Sequence, residues 1–306
     1  MIDMLRHFSE VIERAKRNGP VRLVVAAAQD EEALRAVKAA HDAGLAEAVL
    51  VGDSALIQPM LAVVGLPAET KIVHEVEPAK AALTAVAIVR ETESGILVKG
   101  LVNSSEFLRA VLNSECGLRT GRLLSHFAAF EEPGGDKLTY HTDGGMNIAP
   151  DLAEKKEILI NALLALHALG IAKPNVAVLA ANEVVNPKMP VTVDAQALME
   201  MSRRGELPAA VVEGPIAMDV ALSPAAAAHK NLSSQISGQV DLFLVPDISA
   251  GNILGKSLIH YGKFKSAGVI LGATHPVVMV SRADTAEAKL NSIALACCIA
   301  SGKGGN

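Results

Sequence analysis

The sequence predicts an α/β protein built on a mainly parallel sheet, and three observations carry that expectation. Apolar strand-like runs alternate with helix-like ones through almost the whole chain, the pattern of βαβ units. Only 3% of the 306 residues are aromatic and there is no Trp, although half are hydrophobic. Ala, Val, Leu and Ile must therefore fill the core, which suits strands buried beneath helices on both faces. Polar and glycine residues also gather where the apolar runs stop, and in an open α/β sheet ligands bind beyond the carboxyl ends of the strands.

Ile2, Leu5, Phe8 and Ile12 recur at helical spacing and predict an amphipathic first helix that stops near Gly19-Pro20. RLVVAAA (22–28) follows as a strand. Asp30 is placed to cap the next helix and Gly44 to end it. AEAVLVGD, KIVHEV and GILVKG are further strands, each separated by a helical pattern. After Gly117 the texture changes: RLLSHFAAFE and LTYHTDGG flank the turn-rich PGGDK (133–137) and read as a hairpin-like excursion. A long helix is expected over 151–170, and NVAVLAA opens a second α/β series. DLFLVPD (241–247), GVILG (268–272) and VVMVS supply the last strands, and 285–301 the final helix. That helix is apolar over much of its surface and needs a partner. We therefore expect two domains, residues 1–120 with 283–306 and residues 121–282.

Composition removes several function classes. A net charge of -5 weighs against nucleic acid or an anionic membrane as partner. No apolar run approaches the ~18 residues needed to cross a bilayer, and Asp3, Glu10 and Glu13 interrupt the N-terminal segment as a secretion signal. A cytoplasmic enzyme is expected. Cys116, Cys297 and Cys298 have neither C-x-x-C nor zinc spacing and read as packing thiols. The nine histidines show no H-E-x-x-H spacing, and His126, His141 and His275, though near polar loops, read as structural. No metal site is expected. Neither G-x-G-x-x-G after the first strand nor G-x-S-x-G occurs.

Five segments carry candidate chemistry. AGNILGKS (250–257) is similar to a phosphate-binding loop with Ala for its first Gly, which would place Lys256 on an anion. The following strand run ends in Ser281 rather than a magnesium-binding Asp, which weighs against nucleotide hydrolysis. A solvated Lys256 is the other reading. In VSRAD (280–284), Ser281 and Arg282 lie between a strand and a helix, where free N–H groups attract anions and an Arg fork fits phosphate. The alternative is that Ser281 or Asp284 caps the helix and Arg282 meets a surface carboxylate. KGLVNSSEFLRAVL (99–112) repeats this layout, with Asn103, Ser104 and Ser105 at the junction, one of the serines a candidate cap, and Arg109 beyond. Arg109 and Arg282 are candidates to converge on one phosphate. NEVVNPKMPVTVDA (182–195) is long for a plain connector, and TDGGMNIAPD (142–151) has Gly144-Gly145 for close backbone approach.

At these residues the chain resembles the phosphate acyltransferases, and within them the butyryl branch more than the acetyl branch. The blocks are VKGLVNSSEFLRAVLNSECGLRTGRLLSHFAAFE, TDGGMNIAPDLAEKKEILINA, NEVVNPKMPVTVDA, VEGPIAMDVALS, PDISAGNILGK and PVVMVSRADT, nearly end to end. The resemblance implies acyl-CoA + phosphate ⇌ acyl phosphate + CoA. It implies two α/β domains with a central cleft, similar to isocitrate and isopropylmalate dehydrogenases, and a homodimer or larger homo-oligomer. CoA and acyl-CoA are then substrates, and no tightly bound cofactor is implied. Carried over by motif, Ser281 would hydrogen-bond the sulfur, Arg282 would hold acyl phosphate or coenzyme, and Arg109 the phosphate. Ser104, Ser105, Asn252 and Lys256 would line the site. The acetyl enzymes place a proposed base Asp seven residues after the Ser, and here that position is Ala288.

Three alternatives compete. Phosphate acetyltransferase differs only in acyl length. A decarboxylating NAD(P)-dependent dehydrogenase would need a tight cluster of metal-binding Asp, and Asp241, Asp247 and Asp284 do not make one in sequence. A catalytically silent CoA-binding protein would not need Ser281, Arg282 and Arg109.

Overall fold

The computed structural model describes residues 5–279 and 284–302. The chain forms two compact units, one of Phe8–Arg122 with Ser266–Asn306 and one of Met1–His7 with Leu123–Lys265. In the first, α1 (Phe8–Arg17) leads into β1 (Val21–Ala26), α2 (Glu31–Asp42), β2 (Ala46–Gly52), α3 (Ser54–Val64), β3 (Lys71–His74), α4 (Pro78–Arg90), β4 (Gly95–Lys99) and α5 (Ser104–Val111). The second holds β5 (Ser125–Glu131), β6 (Leu138–Thr142), α6 (Leu152–Ala168), β7 (Asn175–Leu179), α7 (Pro190–Arg203) and β8 (Val211–Ile216). It continues through α8 (Met218–Leu222), α9 (Pro224–His229), β9 (Leu242–Leu244) and α10 (Ile248–His260). The chain then returns to the first unit with β10 (Lys265–Leu271), β11 (Val277–Val278) and α11 (Ala286–Gly302).

That return falls at residue 266, ahead of the expected 283. The reason is strand pairing: β11 lies parallel to β4, with Val277 opposite Leu97 and Val278 opposite Val98, and β10 pairs with β11. The β10–β11 pair is antiparallel, a local departure from the parallel rule.

In the first unit the strand order is β3-β2-β1-β4-β11-β10. β1 runs parallel to both β2 and β4. Helices cover these strands, so β4 is buried from Gly95 to Val98 and β1 everywhere except Arg22. The Asp30 carboxylate accepts the Glu32 and Ala33 N–H groups at the start of α2, as a capping Asp should. α11 packs on α1 and α2, which explains its apolar surface. Its buried Lys289 reaches Glu32 at 2.9 Å, tying the last helix to the first turn of α2.

In the second unit the order is β5-β6-β9-β7-β8. β5 and β6 form the expected antiparallel hairpin, and β6, β9, β7 and β8 run parallel. α6 opens on a capping box in which Asp151 and Glu154 satisfy each other's backbone N–H. The buried Lys155 of α6 pairs with Asp194 of α7 at 2.7 Å.

Candidate active site

In the first unit the winding direction reverses at β1, since β2 and β3 lie on one side and β4 on the other. The carboxyl ends of β1 and β4 therefore flank a topological switch point, the place where such sheets bind ligands. The backbone is drawn together there. Gly100 N–H donates to the Ala26 carbonyl at 2.9 Å, and Leu101 N–H to that of Ala27 at 2.7 Å. A Cβ on Gly100 would lie 2.3 Å from the Ala27 carbonyl oxygen, so only glycine fits. Ala27 itself has φ +54°.

Beyond Gly100, Asn103 caps α5. Its side-chain oxygen accepts the Ser105 N–H at 2.9 Å and the Ser105 hydroxyl at 2.8 Å. The capping group is thus Asn103 and not a serine. Ser104 and Ser105 are the first two helical residues and are exposed. Arg109 is exposed in the last turn of α5, and helical side chains lean toward the N-terminus. Sequence reasoning passed over Lys99 and Gln29. Lys99 is a cation ending an otherwise buried strand, with Nζ 3.4 Å from the Gly100 carbonyl. Gln29 is a buried amide whose Oε1 meets no hydrogen-bond donor among the described residues. A polar residue directly after an apolar strand was the available signal in both cases.

Ser281 and Arg282 lie outside the described residues. The chain approaches them from β11, whose Val278 pairs with Val98, one residue before Lys99. On their far side α11 is capped by Thr285, whose hydroxyl accepts the Ala288 N–H at 3.1 Å. Ala288 stands in the first turn of α11.

In the second unit, β6, β9 and β7 are parallel neighbours, so their carboxyl-end segments share one edge. After β6 the Asp143 carboxylate, 2% exposed, accepts the N–H groups of Gly145, Met146 and Asn147 and the Asn147 side-chain amide, over 2.6–3.3 Å. Those bonds hold the Gly144–Asn147 loop in one shape. It lies against the start of α10: a Cβ on Gly144 would meet the Gly251 backbone at 2.9 Å, and one on Gly251 the Gly144 Cα at 2.6 Å. The sequence signalled Gly144, whereas the roles of Gly251 and Asp143 need the folded loop to be visible.

Asn252 reaches the Gly144 carbonyl from α10 at 3.5 Å, and Lys256 is exposed one turn further on. Residues 250–257 lie wholly inside α10, which Asp247 caps through the Ala250 N–H. Their amides past the first turn are committed to the helix, so AGNILGKS is not a phosphate-cradling loop. After β7 the irregular stretch ends at Met189, with α7 starting at Pro190, shorter than the expected 182–195. The buried Thr192 hydroxyl accepts the Asn186 N–H at 2.8 Å and pins that loop.

Three further titratable candidates, His141, Cys297 and Cys298, lie in the core. His141 packs between Phe130 and Phe243, with ring centroids at 4.6 and 5.0 Å, and burial pushes its pKa down to about 3. Cys297 and Cys298 are buried against the Leu45 and Val11 carbonyls. Burial raises both thiols, Cys298 to about 11, away from the thiolate form a nucleophile needs. Among the described residues no group of three or more His, Cys, Asp or Glu is placed to hold a metal ion.

An α/β chain with small hydroxyl donors at the start of α5 and exposed cations on α5 and α10 fits a class, that of enzymes handling anionic small molecules. The particular family follows from comparison with known proteins. Residues 60–297 match the family described as Phosphate acetyl/butaryl transferase. A phosphate butyryltransferase of Clostridium acetobutylicum is 44% identical over 301 residues, covering 98% of this chain and 100% of that one. Another, from Clostridium beijerinckii, is 41% identical over 298 residues, covering 97% and 99%. The crystal structure of a branched-chain phosphotransacylase from Enterococcus faecalis V583 superposes with a TM-score of 0.80 at 34% identity, covering 92% of this chain and 99% of that one. The chain belongs to the phosphate acetyl/butyryl transferase family and is a transferase.

Proposed function

We propose that this chain transfers a short acyl group, butyryl or similar, between coenzyme A and inorganic phosphate: acyl-CoA + phosphate ⇌ acyl phosphate + CoA. The observation that carries this is 44% identity, across essentially the full length of both chains, to a relative named for the butyryl reaction. Phosphate acetyltransferase is less favoured, because both relatives reported above carry the butyryl name. In this reading Arg109 holds phosphate, Arg282 holds acyl phosphate or coenzyme, Ser281 hydrogen-bonds the thioester sulfur, and Ser104, Ser105, Asn252 and Lys256 line the substrate.

The chemistry suits those groups. Phosphate is a weak nucleophile toward a thioester, so holding it against the carbonyl carbon supplies much of the rate. Arginine forks position its oxygens and tolerate its charge. As the P–O–C bond forms and the C–S bond breaks, a donor at sulfur or at the carbonyl oxygen stabilises the developing charge. With Ala288 at the position of the acetyl enzymes' proposed base, attack by the phosphate dianion needs little base help from that position. Transfer is direct in a ternary complex, and the burial of Cys297 and Cys298 supports a path that acylates neither of them.

The isocitrate-dehydrogenase-like pairing of two α/β domains, assembly as a homodimer or larger oligomer, cytoplasmic residence and the lack of a tightly bound cofactor belong to the same proposal. No helix among the described residues is long and apolar enough to cross a membrane. The test is release of CoA thiol from acetyl-, butyryl-, isobutyryl- and octanoyl-CoA in the presence of phosphate. Phosphate-dependent release, fastest with the four-carbon thioesters, is expected; no phosphate-dependent release from any of them would end the proposal.

A further inference from the structure

The three most exposed aliphatic side chains among the described residues of the second unit are Ile148, Val184 and Ile253, at 77, 67 and 66%. They are not scattered over the helix faces. Ile148 follows β6, Val184 follows β7, and Ile253 is in the second turn of α10, which follows β9. Those strands are parallel neighbours in the order β6-β9-β7, so the three segments leave the sheet at its carboxyl edge, where α/β proteins bind ligands. The loop carrying Ile148 is joined to α10 by the Ile248 N–H on the Ile148 carbonyl at 3.2 Å and by the Gly144–Gly251 approach. Holding three large aliphatic groups in water on adjacent strand-end segments forfeits burial that helix packing could have provided. The same segments carry exposed cations, Lys188 after β7 and Lys256 on α10. Aliphatic groups beside cations match a molecule whose short hydrocarbon end adjoins a phosphate, which is the form of the acyl phosphate in this reaction.

Resting on the acyl-transfer function proposed above, we infer that Ile148, Val184 and Ile253 contact the acyl chain of the thioester and set its length preference. Three exposed aliphatic side chains on neighbouring strand-end segments offer apolar contact to a short chain, and each added methylene of substrate gains more of it. An acetyl group is too short to collect that contact.

The test measures kcat/KM for butyryl-CoA and acetyl-CoA at saturating phosphate with Ile148→Ala, Val184→Ala and Ile253→Ala. Ile253→Leu is the conservative variant and Leu164→Ala, on α6 away from this edge, is the control. Each alanine variant should lower the butyryl-to-acetyl ratio about 10-fold, mostly through the butyryl term, with phosphate KM unchanged. Ile253→Leu should keep the ratio within about 2-fold, and Leu164→Ala should leave it unaltered. All three positions are exposed, and circular dichroism checks that each variant folds. An unaltered ratio, or equal loss on both thioesters, overturns the inference. So does a fall in sedimentation mass with the ratio intact, which would make the patch a contact between copies of the chain. A wild-type enzyme preferring acetyl-CoA removes the butyryl reading itself, whereas a butyryl-preferring wild type with unaltered variants removes only this inference.

Discussion

Single residues decide whether the charges and protons on this molecule are in service. Arg109 is the one proposed phosphate-binding arginine in the described structure, exposed on α5 beyond the Asn103 cap. Arg109→Ala and Arg282→Ala should each lower kcat/KM about 10²-fold or more through loss of a charged contact to phosphate; near wild-type kcat/KM in either would remove that assignment. Cys297→Ala and Cys298→Ala should turn over normally, because their thiols are buried and raised, and acylation of either during turnover would contradict direct transfer. Burial of His141 should make stability sensitive to acid. Its folded pKa, about 3, lies below the ordinary 6.5, so between those values the unfolded chain binds the extra proton and stability falls as pH falls. From pH 6.5 to about 5 the loss should be about 1–2 kcal/mol. His141→Phe, which keeps an aromatic ring between Phe130 and Phe243, should flatten the dependence of unfolding midpoint on pH in that range; an unchanged slope would assign it elsewhere.

At the scale of elements, close approaches matter more than propensity. Gly251 and Gly255 lie on the same helix, α10, and on propensity alone either would gain up to about 1 kcal/mol as alanine. Gly255 has room, since an added Cβ would meet only Phe130 Cζ at 3.4 Å. Gly251 has none, with the Gly144 Cα at 2.6 Å. Thermal melts should therefore separate them in sign. Gly255→Ala should raise Tm slightly, while Gly251→Ala should lower it by several degrees, corresponding to about 1–3 kcal/mol of overpacking, and also reduce turnover by displacing the Asp143 loop from Asn252. A stabilising Gly251→Ala would show that the two backbones do not need that separation.

The whole molecule is read through its substrate range. Burying two more methylenes of acyl chain is worth about 1–3 kcal/mol, so butyryl-CoA should exceed acetyl-CoA in kcat/KM by no more than about 10–200-fold. Some acetyl activity should persist, because a site open to four carbons cannot strongly exclude two. Steady-state kinetics with both thioesters at saturating phosphate checks this. A higher kcat/KM for acetyl-CoA would move the chain to the acetyl branch and leave the arginine assignments standing.

Local chemistry was sufficient for much of this. Strand runs such as RLVVAAA and GILVKG, the Asp30 cap and the β5–β6 hairpin around PGGDK were legible because apolar periodicity and turn residues act over a few positions. The family followed from motif blocks that need no coordinates. Tertiary structure decided what depends on partners distant in sequence. It showed that β11 belongs beside β4, which moved the expected return of the chain from 283 to 266. It showed that AGNILGKS is helical, because Asp247 captures the Ala250 amide and starts α10 early. It assigned the α5 cap to Asn103 rather than its serine neighbours and put the Thr285 hydroxyl on the Ala288 amide at the start of α11. It also made glycine obligatory at Gly100 and revealed Asp143 as the organiser of its loop. Each of these rests on a contact made by the folded chain, a carbonyl at 2.3 Å or a carboxylate among amides, and spacing along the sequence does not encode such distances.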